Sequence, residues 1–200
     1  MIKLGVFYCL EDGFENDIES FKSFFSSKCE ISKYLNHLPH LSLYVFNINS
    51  NNLSDVIFEF KEMQKSLNQF SAKIVKWKVF ENDILTKLNT LSLEIELSNE
   101  LKFLQMKVAG SLSKFHIKNY NEYEGELKLS NERYGYPFVG DHWIPHITIG
   151  SMDIKSKNLL ELSEKLFAFP QKISINNICL FKIKGDHHEL IKKIDFERRS

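Results

Sequence analysis

The chain has 200 residues, 43% hydrophobic and 26% charged, which is the balance of a globular protein with ample core-forming mass, including 17 phenylalanines. Lysine plus arginine equals aspartate plus glutamate at 26 each, so a long groove that tracks nucleic-acid phosphates is excluded, whereas a local anion pocket is not. Cys9, Cys29 and Cys179 are odd in number and widely spaced, so they imply neither a zinc site nor a disulfide framework but reduced thiols.

In chain order, residues 2–9 read as a buried strand. The apolar run there is closed by Glu11 and Asp12, is too short to span a bilayer and has no small-residue cleavage site, so a cytoplasmic protein is expected. Phe14, Ile18, Phe21 and Phe25 recur at helical spacing up to about Cys29. Residues 40–48 read as a strand. Leu53, Val56, Phe60, Met63, Leu67 and Phe70 then mark a second helix, with Ser54 or Asp55 at its start. Residues 74–80 alternate Val75, Trp77 and Val79 with Lys76 and Lys78, a half-exposed strand whose lysines read as a solvated face.

The second half repeats the order. Leu91, Leu93, Ile95 and Leu97 alternate with polar residues as a strand, and Leu101, Leu104, Val108, Leu112 and Phe115 mark a third helix. Residues 146–150 read as a strand, and Leu159, Leu162, Leu166 and Phe169 as a helix stopped by Pro170. Residues 173–183 and 189–196 follow as strands around a Gly185-Asp186 turn. Each half is thus strand–helix–strand–helix–strand, with pseudo-repeats at about 1–85 and 90–200 and an extra stretch at about 117–144. No Pro/Gly/Ser linker separates the halves, so residues 1–200 are expected to form one bilobal domain.

The most specific signal is Pro39-His40-Leu41-Ser42-Leu43 against Pro145-His146-Ile147-Thr148-Ile149, which uses two of the chain's four prolines. In a strand, alternate side chains share a face. His40 and Ser42 therefore face one way and Leu41 and Leu43 the other, and likewise His146 and Thr148 against Ile147 and Ile149. Proline at each entrance removes a donor where a ladder bond is dispensable. If a pseudo-twofold axis relates the halves, the two polar faces converge across a cleft. Two imidazoles can then act as general acid and general base on a phosphodiester near neutral pH, with Ser42 and Thr148 donating to the non-bridging oxygens.

The motif pair resembles that of the 2H phosphoesterase superfamily, which includes 2′-5′ RNA ligase-like proteins and cyclic phosphodiesterases. The resemblance implies an α+β, bilobal fold with two mainly antiparallel sheets flanking a central cleft and helices outside. It implies a metal-independent enzyme without cofactor, acting on a 2′,3′-cyclic phosphate or 2′-5′ linkage of a nucleotide or RNA end. His146 would activate water and His40 protonate the leaving oxygen, although the near-symmetry of the site permits the reverse. The chain departs from the pattern at Gly150-Ser151-Met152, where several relatives carry an arginine.

Other candidates are weaker. His37 and His40 form an H-x-x-H pair, but no further ligand cluster supports a metal. His187-His188 read as a solvated hairpin tip, His142 as bordering the cleft or the surface, and His116 as complementing a helix end. The segment 129–143 leads as a loop into the second motif. Tyr134, Tyr136, Phe138 or Trp143 would stack on a base and Arg133 meet a phosphate, unless Phe138 and Trp143 only pack the loop down. Expected partners are a small nucleotide or RNA terminus, with no membrane, and the chain is expected to be a monomer. Degradation of cyclic or 2′-5′ oligonucleotide second messengers, nucleotide binding without turnover, and RNA ligation stand as alternatives.

Overall fold

The computed structural model describes residues 1–11, 13–117 and 123–197. Within the extra stretch at about 117–144, residues 118–122 lie outside the described residues. The elements in chain order are β1 (Ile2–Cys9), α1 (Phe14–Ser26), β2 (Ser32–Lys33), β3 (His40–Ile48), α2 (Leu53–Glu62), β4 (Phe70–Phe80), β5 (Asn89–Ile95), α3 (Asn99–Leu112), α4 (Gly125–Tyr134), β6 (His146–Met152), α5 (Ser156–Leu166), β7 (Lys172–Ile175), β8 (Asn177–Lys184) and β9 (His187–Asp195).

The apolar spacings account for most of these. Ile18, Phe21 and Phe25 bury one stripe of α1, and Leu101, Leu104, Val108 and Leu112 bury one stripe of α3. Ser98 caps α3 by accepting from the Leu101 amide at 3.2 Å, which satisfies one of the helix's unpaired donors. The expected second helix is shorter than its apolar series. After Glu62 the chain tightens into a 3₁₀ turn, and Phe70 opens β4 instead.

The two expected sheets are halves of one antiparallel sheet in the order β7-β4-β5-β6-β3-β1-β8-β9, with β2 on β6. The halves meet where β3 pairs β6 at Leu41 and Ile147. Each half of the sheet takes strands from both halves of the sequence. Strand β4 crosses to pair β5, and β8 crosses to pair β1. The helices follow the same exchange, with α1 packed against β6 and α3 against β3. The expected strand 173–183 is two strands for this reason. The chain passes from the β4 side to the β1 side between Ile175 and Asn177. Asn177 is fully buried there, donating to the Cys9 carbonyl at 3.2 Å and accepting from the Cys9 amide at 3.3 Å.

The sequence reading foresaw neither the short strand β2 nor the helix α4. Its sequence, GELKLSNERY, buries Ser130 and Asn131 and leaves Leu129 exposed, so no apolar period announces it. No helix among the described residues is long and apolar enough to cross a membrane.

Candidate active site

Strands β3 and β6 carry the two motifs side by side. Leu41, Leu43, Ile147 and Ile149 are all buried beneath the helices. Strand alternation therefore turns His40, Ser42, His146 and Thr148 to the other face, where all four line one cleft of about 1040 Å³. The Leu41–Ile147 pairing fixes the antiparallel register, which sets His40 opposite Thr148 and Ser42 opposite His146. Each imidazole thus stands beside the other motif's hydroxyl. The two histidines occupy a diagonal of this quartet, for which sheet geometry gives a Cβ separation of about 7–8 Å. Ladder shifts at Val6/Phe7 on β1 and at Leu91/Ser92 on β5 fall on the outer neighbour of each motif, and such bulges re-aim nearby side chains.

Both rings are oriented alike. His40 Nδ1 lies 2.6 Å from the Leu38 carbonyl, and His146 Nδ1 lies 2.7 Å from the Ile144 carbonyl. A carbonyl only accepts, so Nδ1 carries the hydrogen and Nε2 is left without one in both neutral rings. His40 Nε2 in turn accepts from Ser42 Oγ at 3.0 Å. Leu38-Pro39 and Ile144-Pro145 extend the internal match one residue further than the motif as read from sequence. Phe7 stacks on His40 with ring centroids 4.0 Å apart, and Phe80 lies 4.9 Å from His146. Phe7 reaches this position across Gly5, where an added Cβ would stand 2.3 Å from the phenylalanine ring.

Burial pushes His40 down to about 3, because the protonated ring loses water. The bond to Leu38 opposes that shift, while His188, Lys22 and His37 reinforce it. Burial lowers His146 as well, opposed by the Ile144 carbonyl, Asp83 and Glu94 and aided by Lys78. Both rings are therefore neutral in the free site near pH 7.

Of the aromatic segment, Tyr136, Phe138 and Trp143 line the cleft, as does His142. Arg133 and Tyr134 do not line it. The guanidinium of Arg133 lies 5.0 Å over the Tyr134 ring at the end of α4, which turns both away from the motifs. Trp143 is buried, and its Nε1 donates to the Ser42 carbonyl at 3.1 Å, tying the second motif's approach to the first motif. His116 Nδ1 meets the Ser113 carbonyl at the end of the turn after α3.

His188 is not a solvated tip. It is half-buried, its ring lies 5.4 Å from His40 and 4.8 Å from His37, and burial pushes it down to about 4. His187 alone faces solvent. His37 turns away from His40 to meet Asp186 at 3.0 Å, and among the described residues no group of three or more His, Cys, Asp or Glu is placed to hold a metal. Sequence reasoning also passed over Lys22 and Gln105, although each is a lone polar residue inside an apolar helical stripe. Lys76 and Lys78 both pair with Glu94.

Comparison with known proteins agrees with this architecture. No curated protein sequence matches the chain. Among solved structures, TT0787 of Thermus thermophilus superposes with a TM-score of 0.61 at 14% identity, over 98% of each chain. Escherichia coli LigT complexed with 3′-AMP gives 0.57 at 9% identity, again over 98% of each chain. Usb1 of Kluyveromyces marxianus gives 0.51 at 12% identity, over 94% of this chain and 96% of that one. At such identities the likeness is one of fold. The family model of the 2′-5′ RNA ligase superfamily matches residues 10–187, a span that holds both His motifs, and the chain belongs to that superfamily of 2H phosphoesterases.

Proposed function

We propose that the protein hydrolyses a 2′,3′-cyclic phosphate or a 2′-5′ phosphodiester in a nucleotide or RNA end, with His40 and His146 as the paired proton-transfer groups. The observation that supports this reading is the register of β3 and β6, by which each motif's histidine stands opposite the other motif's hydroxyl on the wall of one cleft. One imidazole takes a proton from water as its oxygen bonds to phosphorus. The other gives a proton to the ribose oxygen as its bond to phosphorus breaks. Ser42 and Thr148 donate to the non-bridging oxygens, where charge accumulates. No step requires a metal or cofactor.

The cleft suits a short ligand. Among the described lining residues the only lysines are Lys3 and Lys22 and there is no arginine, so one or two phosphates can be matched but not a long strand. Tyr136 and Phe138 offer rings for base stacking on the second motif's side. Escherichia coli LigT has been solved with 3′-AMP, phosphate, ATP and NADP+, which supports a nucleotide-type ligand here. The exchange of β4 and β8 between the halves of the sheet supports one bilobal domain with pseudo-repeats near 1–85 and 90–200. We place it in the cytoplasm as a monomer.

A substrate panel tests the reading. Wild-type protein in EDTA should turn over 2′,3′-cyclic nucleotides or 2′-5′ oligoadenylates, assayed beside cyclic dinucleotides. Turnover of cyclic dinucleotides alone would assign it to second-messenger degradation. Tight nucleotide binding with no product over long incubation would make it a binding module.

A further inference from the structure

The cleft face of the sheet carries a second matched feature outside the two motifs. Each motif strand has an outer neighbour with one residue directly across from the histidine. On β5 it is Glu94, opposite His146, and on β1 it is Cys9, opposite His40. One strand further out, Lys78 on β4 pairs with Ser92, and Cys179 on β8 pairs with Phe7. Glu94 and Lys78 are therefore diagonal neighbours, and so are Cys9 and Cys179. The first couple meets as an ion pair at 3.0 Å. At the same place in the other half stand two thiols.

Packing brings these thiols together although they lie near opposite ends of the chain. Phe7, Cys179 and Phe181 form a small buried cluster, against which Cys9, Val45 and Ile183 pack, and Phe7, Val45 and Ile183 also line the cleft. The Cys9 thiol donates to the Cys179 sulfur, which lowers Cys179. Burial opposes that shift, and the Lys193 ammonium, opposite Cys179 on β9, supports it. Cys9 is half-buried and Cys179 is 2% exposed, so a small oxidant reaches the pair past Cys9. Cys29 packs instead against the main core, its thiol donating to the Phe25 carbonyl at 3.2 Å.

A disulfide holds its Cβ atoms about 3.5–4.5 Å apart, closer than the diagonal neighbours of a regular ladder. The sheet is least regular at this point. The backbone ladder of β1 and β8 ends at Phe7 and Cys179, and beyond it the Asn177 side chain takes up the Cys9 amide and carbonyl. Ladder shifts at Val6/Phe7 and at Leu180/Phe181 lie alongside. Closing a bridge here draws β1 and β8 together at Phe7, whose ring stacks on His40.

We propose that Cys9 and Cys179 are a modification site that hydrogen peroxide closes into a disulfide, and that closure displaces Phe7 and slows the reaction at His40, a consequence that rests on the proposed function. One thiol, as its thiolate, attacks a peroxide oxygen, the O–O bond breaks, and the departing oxygen leaves as water with that thiol's proton. The second thiol attacks the resulting sulfenic sulfur, the S–O bond breaks, and a second water leaves with the second proton. Two thiols give up two electrons in all, and the peroxide is reduced to two waters. A bridge under strain is readily reduced by a dithiol, which makes the change reversible.

Peptide mapping by mass spectrometry of peroxide-treated protein, with turnover of a 2′,3′-cyclic nucleotide followed in parallel, tests both parts. The peptides holding Cys9 and Cys179 should be joined, with Cys29 still open to alkylation. The value of kcat should fall by about tenfold or more, because a misplacement of about 1 Å at a reacting group costs up to about 10²-fold. Dithiothreitol should restore it. Cys9→Ser and Cys179→Ala should keep their activity under peroxide, whereas Cys29→Ser should lose it as wild type does. Wild-type protein in which Cys9 and Cys179 stay unjoined, or in which either is joined to Cys29, would overturn the site. A bridge with unchanged kcat, or an equal loss in folded Cys9→Ser, would overturn its control of His40. Reduced protein that turns over no nucleotide would refute the parent reading alone. The joined peptides, and a shift of the His40 ring signal on oxidation, would still decide this one.

Discussion

Alanine at His40 or at His146 is expected to lower kcat on a 2′,3′-cyclic nucleotide by about 10²–10⁴-fold, the range for a lost general acid or base. The two losses should not multiply. Once one proton-transfer partner is gone, the other works without its counterpart, so the double variant should fall little below the worse single one. Steady-state kinetics at matched pH, with far-UV circular dichroism as a folding control, reads both numbers. The folding control should pass, because both side chains are only half-buried and line the cleft, although His40 also stacks on Phe7 and bonds Ser42. A single variant with near-wild-type turnover would break the paired mechanism.

The hydroxyls should give the next largest effect. In the proposed reaction Ser42→Ala and Thr148→Val each remove a donor to the phosphate oxygens, and loss of such a donor costs about 10²–10³ in kcat. The effect should fall on kcat more than on KM, because the donor is needed most where charge accumulates. Thr148→Ser should retain most activity, since the oxygen stays on the same face opposite His40. Ser42→Ala carries a second consequence, because its Oγ also hydrogen-bonds His40 Nε2 in the free site. A loss shared equally between KM and kcat, or none, would remove these residues from the phosphate site.

Much of this arrangement was legible before any coordinates. Strand alternation alone put His40 with Ser42 and His146 with Thr148, and the shared prolines and aliphatics marked the two segments as copies. Adjacency was not legible. Nothing in either segment says that Leu41 will pair with Ile147, because that pairing depends on how whole strands are ordered in the sheet. The crossing of β4 and β8 was hidden for the same reason, since apolar alternation is identical whichever neighbour a strand takes.

The misses have local causes. His188 follows a turn, so its neighbours in sequence suggest water, yet β9 folds back on β8 and brings its ring against Phe7, at 5.4 Å between centroids. In sequence Arg133 and Tyr134 read as loop residues, but they close α4, which buries serine and asparagine and so shows no helical period. Lys22 and Gln105 were readable in principle. A polar residue inside a buried helical stripe must find partners, and here both find the backbone that carries a catalytic candidate.

The proposed mechanism requires two imidazoles to share one phosphate, which nuclear magnetic resonance of the histidine rings during titration with a nucleoside 3′-monophosphate would reveal. The Nε2 signals of His40 and His146 should move together, with one saturation curve and one ligand per chain, and both rings should bind protons more readily in the complex than in the free protein. Movement of one ring alone, or separate curves for the two, would contradict the account.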